Sequence, residues 1–88
     1  MKKGIYRHYK GGLYEVFGTV THTETSEVMV LYTDVNNKKF VRPLSMWNEK
    51  VNSVPRFEYC NEQAYYRREF VLRKNYKLKM DGVEQVEN

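Results

Sequence analysis

Turn signals follow one another so closely along the first two thirds of this chain that only short elements fit between them. Gly11-Gly12, the polar run Thr23-Glu24-Thr25-Ser26, Asp34 to Lys38 with Asn36-Asn37, and Pro43 divide it into short pieces. Pieces of that length make strands more readily than helices, and their composition agrees. Ile5 to Tyr9 reads as a strand, with Gly11-Gly12 as a two-residue hairpin turn after it. Leu13 to His22 is rich in Tyr, Val, Phe and Thr, and Gly18 marks a bulge within it. Glu27 to Thr33 and Lys39 to Arg42 follow as strands, the second stopped by Pro43. Pro43 to Lys50, carrying Met46 and Trp47, reads as one helical turn, and Val54 to Tyr59 as a short strand with Pro55 at its edge. Five short strands in residues 1–60 predict a mostly β domain, a small SH3-like bent barrel.

The remainder has a different texture. Ala64 to Glu69 offers one or two helical turns. From Phe70 to Met80 the apolar residues Phe70, Leu72, Tyr76, Leu78 and Met80 alternate with Val71, Arg73, Lys77 and Lys79, which predicts an extra C-terminal strand. Residues 61–80 are thus expected as a basic helical turn plus strand packed on the 1–60 domain. Residues 81–88, with three acids and no base, are expected as a flexible acidic tail.

Composition bounds the function. The chain has 88 residues, 41% hydrophobic and 30% charged, with eight Tyr, four Phe and one Trp, which excludes a disordered chain. A tyrosine buries its ring while keeping its hydroxyl wet, so it suits either a thin core or a face hidden in a homo-oligomer. No stretch approaches the ~20 apolar residues of a membrane span, so no membrane partner is expected. One cysteine, Cys60, makes no internal disulfide, and with no signal peptide after Lys2-Lys3 the expected location is the cytoplasm, the host's if phage-encoded. The net charge of +4 permits anionic partners without requiring them.

Four segments stand in order: Gly4-Ile5-Tyr6-Arg7-His8-Tyr9-Lys10-Gly11, His22-Thr23-Glu24-Thr25, Val41-Arg42-Pro43-Leu44-Ser45-Met46, and Pro55-Arg56-Phe57. Over residues 4–58 the chain resembles a small bacterial and phage family, domain of unknown function sixteen fifty-three. The resemblance implies a compact, mostly β domain, often free-standing, and brings no activity with it. The basic segment 61–80 lies outside the family pattern.

Strand periodicity places Tyr6, His8 and Lys10 on one face and Ile5, Arg7 and Tyr9 on the other. A Gly11-Gly12 turn would set Tyr9 opposite Tyr14 and Arg7 opposite Val16. The functional reading is a polar site of Arg7, His8, Lys10, His22, Glu24, Thr25 and Arg42, with Tyr6, Tyr32 and Trp47 as walls. Arginine and lysine hold phosphate or carboxylate oxygens, and aromatic rings stack on a flat ligand. The bland reading is an Arg42–Glu24 ion pair with two ordinary strand histidines. A metal site of His8, His22 and Glu24 is chemically conceivable, but no close ligand spacing supports it, and none is expected. Cys60 carries no signature of an activated thiolate, and the chain has no glycine-rich phosphate loop or serine elbow. We therefore expect no enzyme, no catalytic residues and no cofactor. The expected function is binding of a small anionic, nucleotide-derived ligand, which in a phage would sequester a nucleotide immune signal. The alternative is a nucleic-acid or protein-interaction module using Arg67, Arg68, Arg73, Lys74, Lys77 and Lys79 among Tyr65, Tyr66, Phe70 and Tyr76.

Overall fold

The structure, a computed structural model, describes residues 1–87, with side chains as far as Tyr76. In chain order the elements are β1 (Gly4–His8), β2 (Leu13–Thr21), β3 (Val28–Thr33), β4 (Lys39–Pro43), α1 (Leu44–Trp47), β5 (Lys50–Val51), β6 (Val54–Pro55), β7 (Phe57–Tyr59) and α2 (Gln63–Glu87). Five strands form one antiparallel sheet in the order β4-β3-β2-β1-β7, and β5 and β6 pair as a separate ribbon. The expected mostly β fold is present, and so are the helical turn and the bulge, where the β2–β3 register shifts between Val16 and Gly18.

Several features differ from the sequence reading, among them the expected strand Val54 to Tyr59, which divides between β6 and β7 at Arg56. The β1–β2 register places Tyr6 opposite Tyr14 and Arg7 opposite Leu13. The reason lies in the turn, which spans Tyr9 to Gly12 rather than two glycines. His8 N–H donates to the Gly12 carbonyl (2.8 Å) and Gly11 N–H donates to the His8 carbonyl (2.7 Å). Gly11 has φ +104°, which suits a residue without Cβ.

A further difference is the C-terminal strand, which is helix α2. No Gly or Pro interrupts residues 56–81. Tyr66 and Phe70, one turn apart, sit on one helix stripe and pack with Ile5, Leu13 and Cys60. That burial overrides the two-residue alternation further along. Lys77, Lys79 and the acidic residues of 81–88 lie outside the described side chains. No helix among the described residues is long and apolar enough to cross a membrane.

The sheet has two distinct faces. Tyr6, Val16, Val30, Tyr32, Trp47 and Phe57 form the larger core, flanked by Tyr14, Phe40, Leu44 and Tyr59. Strands β3 and β7 are three positions apart in the sheet, about 14 Å if it were flat. The rings of Tyr32 and Phe57 nevertheless lie 5.9 Å apart. The sheet therefore curls around its aromatic face as an open half-barrel; β4 and β7 are unjoined edges, and the barrel is not closed.

Helix α2 lies on the convex side and is held by its polar residues as well as its core stripe. The Gln63 amide accepts from Ile5 N–H (2.8 Å) and donates to the carbonyls of Ile5 (2.9 Å) and Cys60 (2.6 Å). Arg67 pairs with Glu15 at 2.9 Å, Arg73 donates to the Gly11 carbonyl (3.4 Å), and Lys74 donates to Asn37 (3.2 Å). Three of the basic residues that suggested nucleic-acid contact thus tie the helix to the sheet.

Candidate functional site

The curl of the sheet creates a place where residues distant in sequence meet. Its floor is the Trp47–Phe57 pair, stacked at 3.7 Å with planes 4° apart. Tyr14 and Tyr32 stand edge-on to Phe57 at 5.7 and 5.9 Å, and His8 does the same at 4.9 Å. Above the floor, the guanidinium carbon of Arg42 lies 5.6 Å from the centroid of Phe57. Arg56 precedes Phe57 and is fixed from two sides: its N–H donates to the Glu49 carbonyl (2.9 Å) and its own carbonyl accepts from Tyr9 N–H (2.9 Å). Its guanidinium reaches Glu49 only at 3.6 Å.

The electrostatics follow from this crowding of cations. Burial lowers the pKa of His8, and the charges of Arg56, Lys10 and Arg42 lower it further. The Nδ1 atom accepts from Lys10 N–H (3.1 Å), which leaves the proton of the neutral ring on Nε2 as a donor. Burial raises the Tyr14 pKa, helped by Tyr32 and Asp34 and opposed by Arg42. The Nε atoms of Arg42 and Arg56 are both buried without a hydrogen-bond partner. A buried charged donor left unpaired costs about 1–3 kcal/mol or more, and native proteins keep few of them. Beside His8, a cleft of about 400 Å³ is lined by Arg7, His8, Tyr9, Lys10 and Pro55, with the carboxylate of Glu58 also on its wall. Such a cluster can hold an anion through several donors while its rings contact a flat group.

The expected site residues divide into three groups. His8, Lys10 and Arg42 come together, with Tyr32 and Trp47 buried beneath them and Tyr6 packed edge-on to Trp47 at 5.5 Å. The Tyr6 hydroxyl is taken up, donating to the Lys2 carbonyl (2.8 Å). Arg7 faces the opposite way by strand alternation and lines a second cavity of about 230 Å³ with Glu58, Cys60, Glu62 and Tyr66. His22, Glu24 and Thr25 lie in the exposed β2–β3 loop, which they build. His22 Nδ1 accepts from the N–H groups of Glu24 (3.2 Å) and Thr25 (3.3 Å), and Thr25 Oγ1 accepts from Glu27 N–H (3.2 Å).

His8 and His22 stand at opposite ends of β2, roughly 30 Å apart at strand rise. They share no metal site, and among the described residues no group of three His, Cys, Asp or Glu is placed to hold an ion. Nor does an Arg42–Glu24 pair appear among the ion pairs of the described residues. Cys60 is buried on the helix side; burial pushes its thiol pKa up, Arg7 opposes this and Glu58 adds to it.

Sequence reasoning missed Arg56, Tyr14 and Phe57. Arg56 was visible in the Pro55-Arg56-Phe57 motif, but its closeness to His8 depends on the curl.

The family model described as a protein of unknown function (DUF1653) matches residues 4–59. The chain belongs to this family. A crystal structure of a DUF1653 protein from Bordetella bronchiseptica is 38% identical and superposes with a TM-score of 0.63, covering 68% of this chain and 87% of that one. A search of curated proteins found no match. His8, Lys10, Tyr14, Arg42, Arg56 and Phe57 all fall within the DUF1653 match, whereas α2 begins after it ends.

Proposed function

We propose that the protein binds a small anionic ligand, nucleotide-derived, in the seam where Arg42, Arg56 and His8 converge over Phe57. The observation that carries this reading is the pair of buried, unpartnered guanidinium Nε atoms. A phosphate or carboxylate in the seam accepts from these guanidiniums once their Nε–H groups turn outward from the aromatic floor, and from His8 Nε2. A flat group attached to that anion fits the adjoining cleft of about 400 Å³ against Tyr9 and Pro55. The role is recognition rather than chemistry: the groups assembled are fixed donors, cations and rings, suited to holding charge. Sequestration or sensing of a nucleotide signal is the activity such a binder would have.

A thermal-shift screen against mono-, di- and cyclic nucleotides, ADP-ribose derivatives and short oligonucleotides tests the reading. A ligand at about 100 times its Kd adds roughly 2.7 kcal/mol, a shift of several degrees for a domain of this size. The expected result is a shift with one small nucleotide that Arg42→Ala abolishes while leaving the unliganded fold intact. Salt-sensitive stabilisation by oligonucleotides alone, retained in Arg42→Ala, would move the function to α2.

A further inference from the structure

Helix α2 covers only part of the convex face. A helix is about 10–12 Å across and strands are about 4.8 Å apart, so one helix shields about two strands of a five-stranded sheet. The ties to Ile5, Glu15 and Gly11 place α2 over β1 and the start of β2, and Lys74 carries its far end to Asn37 at the β3–β4 turn, which leaves the lower part of β2, β3 and β4 uncovered. The rest of this face is mainly apolar, with the Lys3 side chain reaching over Gly18. Gly18, Leu31 and Val41 form one cross-strand row, and Val20, Met29 and Pro43 the next. The bulge leaves Phe17 on the same side as Gly18. Phe17, Val20 and Val41 are 44%, 42% and 54% exposed. Lys39 is the one charged residue that β3 and β4 place on this side.

The helix carries a matching feature. Leu72 and Tyr76, 55% and 64% exposed, line an apolar cavity of about 480 Å³ with Val35 and Arg73. Val35 lies just beyond β3, so this flank of α2 borders the uncovered half of the sheet. Tyr65, seven residues before Leu72, falls on the same flank by helical spacing.

We propose that the uncovered half-face and the Leu72–Tyr76 flank form one self-association surface, occupied by α2 of a second copy of this chain. The missing cover is a helix with an apolar flank, and the chain itself supplies one. Two-fold symmetry then buries both surfaces of both copies at once, which a foreign helix would not do. The assembly is a layer of two helices between two sheets. The exposed apolar area is on the order of several hundred Å² per copy, larger than scattered surface residues give and approaching the ~800 Å² per partner of a standard interface. Because α2 lies beyond the DUF1653 match, association is a property the helix adds to the family domain.

Sedimentation equilibrium on the full chain, from about 1 to about 200 µM, tests this in the range where an interface of this size dissociates. The expected result is a concentration-dependent dimer mass. V41E and L72E should each give the monomer mass while keeping the wild-type far-UV circular dichroism, with V41S and L72S used if glutamate disturbs folding. A wild-type chain that stays monomeric throughout overturns the inference. A dimer that survives either substitution overturns it too, since the contact would then lie elsewhere.

Discussion

The guanidinium of Arg42 lies over the ring of Phe57, 5.6 Å from its centroid, although the two residues belong to strands at opposite edges of the sheet. Four strand intervals would separate β4 from β7 by about 19 Å on a flat sheet. The contact exists because aromatic rings packed from both edges draw the sheet into a half-barrel. Phe57 is the hinge of that packing, touching Trp47, Tyr14, Tyr32 and His8. Phe57→Ala should therefore destabilise the fold by about 3–5 kcal/mol, the usual cost of emptying an aromatic core site. Urea denaturation measures this, and a loss below about 1 kcal/mol would mean that the curl does not depend on the ring.

Gln63 joins helix to sheet more directly than any hydrophobic contact. Its amide meets both backbone groups of Ile5 and the Cys60 carbonyl. Gly4 leaves room for it: a Cβ there would collide with the Gln63 amide oxygen, and φ is +130°. Gln63→Ala orphans the Ile5 N–H and removes the side-chain donor to the Cys60 carbonyl, while the Ile5 carbonyl keeps its bond from Cys60 N–H (3.1 Å), and should cost about 2–3 kcal/mol. Hydrogen exchange at Ile5 should speed up in step, and unchanged exchange would show that the amide has no part in docking.

Both central residues of the β5–β6 turn are left-handed, Asn52 at φ 52° and Ser53 at φ 67°. This is the geometry that two-residue hairpins fill best with Asn-Gly. Ser53→Gly should raise stability by about 0.5–1 kcal/mol by removing the Cβ penalty. Thermal unfolding reads the change, and a lower Tm would contradict the assigned turn.

His8 gives the fold a pH dependence of known sign. Burial and the cations Arg56, Lys10 and Arg42 hold its folded-state pKa below the ordinary imidazole value. The unfolded chain therefore takes up this proton more readily. Its contribution is fully present above the ordinary imidazole pKa and is lost as pH falls through the folded value. Between about pH 7.5 and pH 5 the wild type should lose more stability than His8→Gln. Equal losses, or a greater loss in the variant, would show that His8 is not held neutral. A bound anion acts in the opposite direction, so saturating phosphate should flatten the wild-type profile.

Much of this architecture was legible because strand signals are local. Turn residues, the Gly18 bulge and the Pro43 stop each act over a few positions, and the strands fall where those signals place them. The β1–β2 register was not legible, because Tyr9 and Lys10 join Gly11 and Gly12 in the turn. Helix α2 was misread since alternation from Phe70 to Met80 competes with the four-residue spacing of Tyr66 and Phe70, and only packing on Ile5 and Leu13 decides between them. In the candidate site, His8, Lys10 and Arg42 could be named from residue type. Arg56 could not, nor could the separation of His22 and Glu24 from the rest. The first depends on the curl of the sheet, which arises from contacts between distant strands, and the second on the length of β2, which sets His22 at the far end from His8.

If Arg42 and Arg56 share one anion, both guanidiniums respond when it binds. The side-chain Nε–Hε resonances of the arginines, followed by NMR while inorganic phosphate and then adenosine monophosphate are added, report on this. The account predicts that the Arg42 and Arg56 signals move together and saturate, while that of Arg68 stays in place. Movement confined to Arg67 and Arg68, or no movement in Arg42 and Arg56 with any anion, would contradict it.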